Sequence, residues 1–361
     1  METVAKKILL LSDLNSVHTQ RWAASIAEKG FVVKVVGLNP LETPSSYYQN
    51  KNISITSLIL HGGSRINYFL GIPKLKKIIE EFHPDIVHAH YATSYGLLAN
   101  LTKKTKLFLT MWGDDVLIFP KKSRIHKKLL QFNLSKADHL SAASHVLERA
   151  SKLYSSKDVS IIAFGVNTEL FTPVSVKNKD KLVVGTIKAL EDIYGIDYLI
   201  QAFKIVKEKF QGSIELLIVG KGSREDDLKK LVQELGLTGS VTFTGKVDHT
   251  LVPEYHKKID IFVALSRSES FGVAIVEAQS CAVPAVVSDV GGLPEVVENN
   301  VTGLIVPVGD IEAAANAILS LARNSELRFK MGQEGRRRAC QLFNWNNNVN
   351  AMIDEYNKVL R

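Results

Sequence analysis

Cysteine is scarce: Cys281 and Cys340 are the only two in 361 residues. Two cannot build a disulfide framework, and neither sits in a metal-like cluster, so both are expected to be buried free thiols of a cytosolic protein. Long hydrophobic runs are missing as well. No apolar stretch approaches the ~18–20 residues of a membrane span, and Ile8 to Leu11 is too short for a signal-peptide core. No Walker-type loop occurs. Gly220-Lys221-Gly222 lacks the third glycine of a dinucleotide fingerprint, so nicotinamide binding finds no support. Acidic residues are short in one half only. Residues 1–170 hold 22 Lys and Arg against 13 Asp and Glu, whereas 171–361 hold 23 against 24. No recognition motif or basic–aromatic constellation accompanies this excess, which argues against nucleic acid and for an anionic surface or acceptor.

What is present is a 45% hydrophobic chain long enough for two ordinary domains. Each half opens alike, on Lys6-Lys7-Ile8-Leu9-Leu10-Leu11-Ser12 and on Asp180-Lys181-Leu182-Val183-Val184-Gly185-Thr186. Short apolar runs then alternate with longer helical patterns. In the first half the runs are Phe31–Leu38, Ile86–His90, Leu107–Trp112 and His139–Ala143. In the second they are Ile214–Val219, Val241–Thr244, Ile259–Leu265, Pro284–Val287 and Gly303–Val306. This alternation predicts α/β architecture, two Rossmann-like doubly wound parallel-sheet domains facing a cleft. The polar stretch Pro173–Lys181 reads as the linker. The expected domains are 1–172 and 173–344, with 345–361 as a terminal helix.

The most informative segment is Glu269-Ser270-Phe271-Gly272-Val273-Ala274-Ile275-Val276-Glu277. Its spacing alone is uninformative: with 21 Glu, about one such pair arises by chance, and Glu326 with Glu334 forms a second pair in a solvated helical pattern. Context separates them. A buried-strand pattern precedes Glu269, Ser270 is the expected N-cap of a helix to about Cys281, and Pro284–Val287 follows, ending in Asp289-Val290-Gly291-Gly292. Ligands of parallel sheets sit outside the strands' carboxyl ends, where helix N-termini offer free N–H groups. Glu269 is expected at that crevice. The N–H groups of Phe271, Gly272 and Val273 suit a diphosphate, and Glu277 suits vicinal ribose hydroxyls.

At these residues the chain resembles the GT-B glycosyltransferases of the retaining family 4 type. The Glu-x7-Glu segment, Val286-Val287-Ser288-Asp289-Val290-Gly291-Gly292-Leu293-Pro294-Glu295 and Thr302-Gly303-Leu304-Ile305-Val306-Pro307 stand in family order. Gly165-Val166-Asn167-Thr168-Glu169-Leu170-Phe171-Thr172-Pro173 looks like the family's entry to its second domain. The resemblance implies a metal-independent, retaining transfer from a nucleotide sugar, UDP-linked by preference, of a hexosyl or N-acetylhexosaminyl group. The acceptor would be a glycan or lipid-linked acceptor in bacterial-type surface polysaccharide or glycoconjugate synthesis. No cofactor is implied beyond the co-substrate. The absence of any Asp-x-Asp triplet disfavours the metal-dependent GT-A type. Glu269 and Lys188 form the implied catalytic set. Glu277, Ser270, Phe271, Gly272, Val273, Gly222 and Val247 form the donor set. The resemblance also implies that the last helix crosses back to the first domain.

The pattern departs from the family in places. Where an Arg and a Lys usually serve the diphosphate, Gly185-Thr186-Ile187-Lys188-Ala189-Leu190-Glu191-Asp192-Ile193-Tyr194-Gly195 offers Lys188 alone. The usual Gly pair after the first strand is replaced by Asn15-Ser16-Val17-His18. Trp112-Gly113-Asp114-Asp115 keeps Asp115 but puts Trp112 in place of a sugar-contacting His, and an indole cannot exchange protons. Ser16, His18, His90, Trp112 and Asp115 are the expected acceptor-side residues. His88 and His90 share a strand face, and with Asp85 they make an incomplete metal set. Lys121 to Phe132 reads as a basic amphipathic helix, expected to rest on the anionic inner face of the cell membrane. Two rival functions remain open: a nucleotide-sugar 2-epimerase of the same fold, and a nucleotide-binding partner subunit of weak activity.

Overall fold

The computed structural model describes residues 5–59, 65–174 and 181–361. The chain divides into two compact units, residues 1–163 with 348–361, and residues 164–347. The first unit holds a seven-stranded sheet of β1 (Lys7–Leu11), β2 (Val32–Gly37), β3 (Ile53–Ser57), β4 (Ile86–His90), β5 (Lys106–Met111), β6 (His139–Ala142) and β7 (Val159–Ile161). Its order is β3-β2-β1-β4-β5-β6-β7. The second holds β8 (Leu182–Ile187), β9 (Ile214–Val219), β10 (Val241–Phe243), β11 (Ile261–Ala264), β12 (Ala285–Ser288) and β13 (Gly303–Val306), in the order β10-β9-β8-β11-β12-β13.

Every pairing is parallel, and the central strands are buried along their length because helices cover both faces. In each sheet the order reverses beside the first strand, at β1/β4 and at β8/β11. These reversals leave a crevice at the strands' carboxyl ends. Gly185, in the middle of β8, permits tight packing of the sheet: a Cβ on it would stand 2.6 Å from the Ile259 side chain.

Some boundaries differ from those the sequence suggests. β3 and β7 are edge strands, partly exposed and therefore without a continuous apolar run. The division falls at 163/164, ahead of the expected 172/173, because the intervening segment is tied into the second unit. Val166 N donates to Phe343 O at 2.8 Å, and Trp345 N donates to Val166 O at 2.9 Å. The Arg336 guanidinium donates to the carbonyls of Phe171 and Thr168 at 2.7 and 2.9 Å. Residues 175–180 of the expected linker lie outside the described residues. The final helix, Trp345–Leu360, belongs to the first unit from Asn348 onward. There Tyr356 is fully buried and its hydroxyl meets His88 Nδ1 at 2.5 Å.

Candidate active site

The strand β8 delivers Lys188 and the strand β11 delivers Glu269, each just past the carboxyl end, at the reversal of the second sheet. Their side chains form a direct ion pair and are each 11% exposed. Lys188 Nζ also lies 4.5 Å from the centre of the Tyr194 ring. The backbone beneath Lys188 is fixed by Gly220, whose φ is +141° and whose Cβ would stand 1.9 Å from Lys188 O.

The loop carrying Glu269 is clamped from two sides. On one side Arg267 grips Asp197 with two bonds of 2.9 and 2.7 Å and donates to Asp192 O at 2.6 Å. Its guanidinium also lies 4.0 Å from the Tyr198 ring centre. On the other side Gly292 N donates to Glu269 O at 3.0 Å and Ser288 Oγ donates to Ser266 O at 2.6 Å. Gly291, with φ +56°, approaches so closely that a Cβ would stand 1.7 Å from Glu269 O. The Gly291-Gly292 pair is thus a backbone seat for Glu269.

The helix after this loop is Val273–Ser280, with Gly272 before it at φ +104° and ψ 53°. The expected N-cap at Ser270 is therefore corrected. A left-handed turn at Gly272 starts the helix later, and Ser270 lies in the loop, its carbonyl 2.5 Å from where a Cβ on Gly292 would be. Ile275 and Val276 both donate to Gly272 O. Among the described residues, the N–H groups of Phe271, Gly272 and Val273 meet no backbone carbonyl, and Val273 is half-exposed. Glu277 follows one turn on, 6% exposed, with Oε2 at 3.3 Å from Nε2 of His256. Of the comparison pair, Glu326 is exposed and Glu334 bonds Arg337 at 2.8 Å on the surface.

Of the two remaining expected donor residues, Gly222 has a clear backbone duty. Gly222 packs on Leu190, whose carbonyl would be 2.4 Å from a Cβ there. Val247, half-buried, follows Gly245, which accepts from Gly220 N at 3.0 Å. Arg267 and His256 were not evident in the sequence. Arg267 sits among serines, and His256 lies in the charged run Glu254-Tyr255-His256-Lys257-Lys258, yet it is fully buried.

In the first unit, His18, His90 and Trp112 form one ring cluster at the carboxyl ends of the central strands. His90 lies against Trp112 with centroids 4.4 Å apart, and His18 meets Trp112 edge-on at 6.0 Å. His90 Nδ1 pairs with Ser12 Oγ at 3.0 Å, while its buried Nε2 has no partner. Burial holds His90 well below the usual imidazole range. Ser16 precedes the helix Val17–Glu28 without a side-chain cap bond. Asp115 is turned inward: it accepts from Ala92 N at 2.7 Å, Gly113 N at 2.8 Å and Trp112 N at 3.3 Å. Burial raises its pKa despite those bonds. These bonds hold the Trp112 loop in place and engage both carboxylate oxygens with the backbone. The set His88, His90 and Asp85 is not assembled. His88 spends both nitrogens on Tyr356 and Thr110, and Asp85 accepts from Lys7 N at the opposite strand end. Among the described residues no group of three His, Cys, Asp or Glu is placed to hold a metal ion.

The basic helix spans Arg124–Lys136, with Ser123 as its N-cap. Leu130 is fully buried in the first unit and cannot meet a membrane, which corrects the expected apolar face. Ile125 at 78% exposure, with Leu129 and Phe132, remains on the outer side. No helix among the described residues is long and apolar enough to cross a membrane.

Residues 167–338 match the family model described as glycosyl transferases group 1, and residues 7–144 match that described as glycosyl transferase 4-like. Among curated proteins, the chain is 28% identical over 305 residues to N-acetyl-alpha-D-glucosaminyl L-malate synthase of Bacillus anthracis, covering 80% of this chain and 78% of that protein. It is 29% identical over 308 residues to the putative glycosyltransferase EpsD of Bacillus subtilis, covering 78% and 79%. Among solved structures, sucrose-phosphate synthase of Thermosynechococcus elongatus superposes with a TM-score of 0.84 at 23% identity, covering 98% of this chain and 99% of that one. HepE of Anabaena, in complex with UDP and glucose, gives 0.81 at 19%, with 98% and 99% covered. The fold is that of the GT-B glycosyltransferases. The chain belongs to the group 1 glycosyltransferases, the family 4 type.

Proposed function

We propose that this glycosyltransferase moves a hexosyl or N-acetylhexosaminyl group from a nucleoside-diphosphate sugar, UDP-linked in preference to GDP-linked, to a glycan or lipid-linked acceptor, with retention and without a metal. The observation that carries the reading is the part-buried Lys188–Glu269 pair beside the N–H groups of Phe271, Gly272 and Val273, which no backbone carbonyl takes up, with Glu277 one turn away. A diphosphate entering there meets those N–H groups and draws Lys188 partly away from Glu269, leaving the carboxylate to sugar hydroxyls. Glu277 receives the ribose diol. In the transfer, the acceptor oxygen bonds to the anomeric carbon as the bond to the β-phosphate oxygen breaks. The leaving phosphate takes the acceptor's proton. His18, His90 and Trp112 would meet the acceptor, with Trp112 offering a flat face to a sugar ring.

Both donor types occur among relatives. HepE has been solved with UDP-glucose, and a Mycobacterium tuberculosis relative is named as GDP-mannose-dependent. We place the protein on the inner face of the cell membrane, through the outer face of the helix Arg124–Lys136, in surface glycan or glycoconjugate synthesis. A panel of UDP- and GDP-sugars tests the reading, with turnover followed by nucleotide release and the product anomer read by NMR. Exclusive epimerisation of the free donor, or an inverted product, would refute it.

A further inference from the structure

The helix turn that carries Glu277 has a neighbour the chemistry above leaves unused. His256, on the helix Val252–Lys258, is fully buried. Phe262 lies against its ring with centroids 5.5 Å apart at 33°, and Phe171 meets it edge-on at 5.7 Å. Phe171 is held in turn, its carbonyl accepting from Ser280 Oγ at 2.8 Å and from Arg336 at 2.7 Å. So fixed, the imidazole aims Nε2 at Glu277 Oε2, while Nδ1 is buried with no partner. Because a carboxylate oxygen only accepts, Nε2 carries the hydrogen of this contact and gives the carboxylate one charge-assisted bond.

We infer that His256 is a positioning residue for donor recognition: it anchors Oε2 of Glu277 so that the carboxylate is already oriented for the ribose hydroxyls of the nucleoside diphosphate. The inference rests on the ribose role of Glu277 proposed above. Without the anchor, the Glu277 carboxylate loses this one of its holds, and affinity falls by the cost of ordering it at the moment of binding. The effect belongs to ribose recognition, so donor KM should move while kcat stays.

Gln and Met separate donation from packing. They have nearly the same shape, but only Gln carries an N–H at the reach of the imidazole Nε2. The full chain would be compared as wild type, His256→Gln, His256→Met, Glu277→Gln and His256→Met/Glu277→Gln. Calorimetry would measure binding of UDP, GDP and their 2′-deoxy forms, with melting temperatures taken alongside. His256→Met should weaken the better nucleotide roughly tenfold and shrink its advantage over the deoxy form, whereas His256→Gln should stay within about threefold of wild type. The double variant should be no weaker than Glu277→Gln alone. Equal affinities for the Gln and Met variants, or an unchanged ribose preference in His256→Met, would overturn the inference and leave His256 as packing. If Glu277→Gln binds nucleotide like wild type, or neither UDP nor GDP binds, the ribose reading fails and takes this inference with it. If Glu277→Gln weakens binding and His256→Met does not, only the inference fails.

Discussion

Glu269 and Lys188 are 81 residues apart in the chain and meet because β8 and β11 are neighbours at the sheet reversal. A lysine and a carboxylate so enclosed depend on each other, since removing one strands the other charge. Lys188→Gln should lower kcat by roughly 10²–10³, the usual loss when one donor to developing negative charge is removed. Steady-state kinetics with the best donor from the panel checks this, and a kcat within threefold of wild type would remove Lys188 from the mechanism. Glu277→Gln should weaken donor binding about tenfold, while Glu326→Gln and Glu334→Gln should change nothing. Parallel titrations of the three variants decide whether the two pairs differ. At this scale the sequence was informative about Glu269, Glu277 and Lys188, because strand, loop and helix follow one another in the chain. It was silent on His256, whose charged neighbours read as surface, and on the partners of Asp115, which are backbone groups invisible to any side-chain pattern.

Elements turn those residues into a site by fixing loops. The Glu269 loop is seated on Gly291, where the left-handed backbone and the near contact with Glu269 O admit no Cβ. Gly291→Ala should destabilise the fold by about 1–3 kcal/mol and reduce activity more than a Gly239→Ala control, where a Cβ meets nothing within 4 Å. Denaturant midpoints and turnover of the pair check it. The last helix is fixed by the bond between Tyr356 and His88, and burial depresses the His88 imidazole to about 3. An unfolded His titrates near ~6.5, so below that pH the unfolded chain takes up a proton that the native protein refuses. Stability is therefore full above that pH and declines as pH falls from ~6.5 toward 3. The loss from His88 is roughly 1.6 kcal/mol between pH 6.5 and 5, and His90 adds to it in the same direction. Urea unfolding at both pH values should show the decline; a flat profile would mean that the imidazoles ionise in the native state.

For the whole molecule the uneven charge matters most. The basic excess lies in residues 1–170, and the outer face of the helix Arg124–Lys136 sets Ile125, Leu129 and Phe132 beside Lys128. Each basic residue near an anionic surface is worth about 1 kcal/mol, and the attraction decays within ~8 Å at physiological salt. Phosphatidylglycerol vesicles should therefore sediment the protein, and neutral vesicles, high salt, or Glu at positions 122, 124 and 127 should release it. Sedimentation indifferent to lipid charge would return this helix to an ordinary surface role. Turnover should also survive EDTA if, as proposed, Lys188 and the N–H groups of Phe271, Gly272 and Val273 answer the diphosphate charge. Loss on chelation with rescue by Mn²⁺ or Mg²⁺ would overturn that mechanism.

The two α/β halves, most of the central strands, and the order of strand, Glu269 loop and helix were legible along the chain. Those follow from local apolar runs and turn residues, which act over a few positions of chain. The edge strands β3 and β7 escaped it because half-exposed strands need no unbroken apolar run. The tertiary structure alone decided the meeting of Lys188 with Glu269, the Arg267 and Gly291 clamps, and the His256 contact with Glu277. Each joins distant segments through sheet order and close backbone approach, and neither quantity is written in the spacing of residues along the chain.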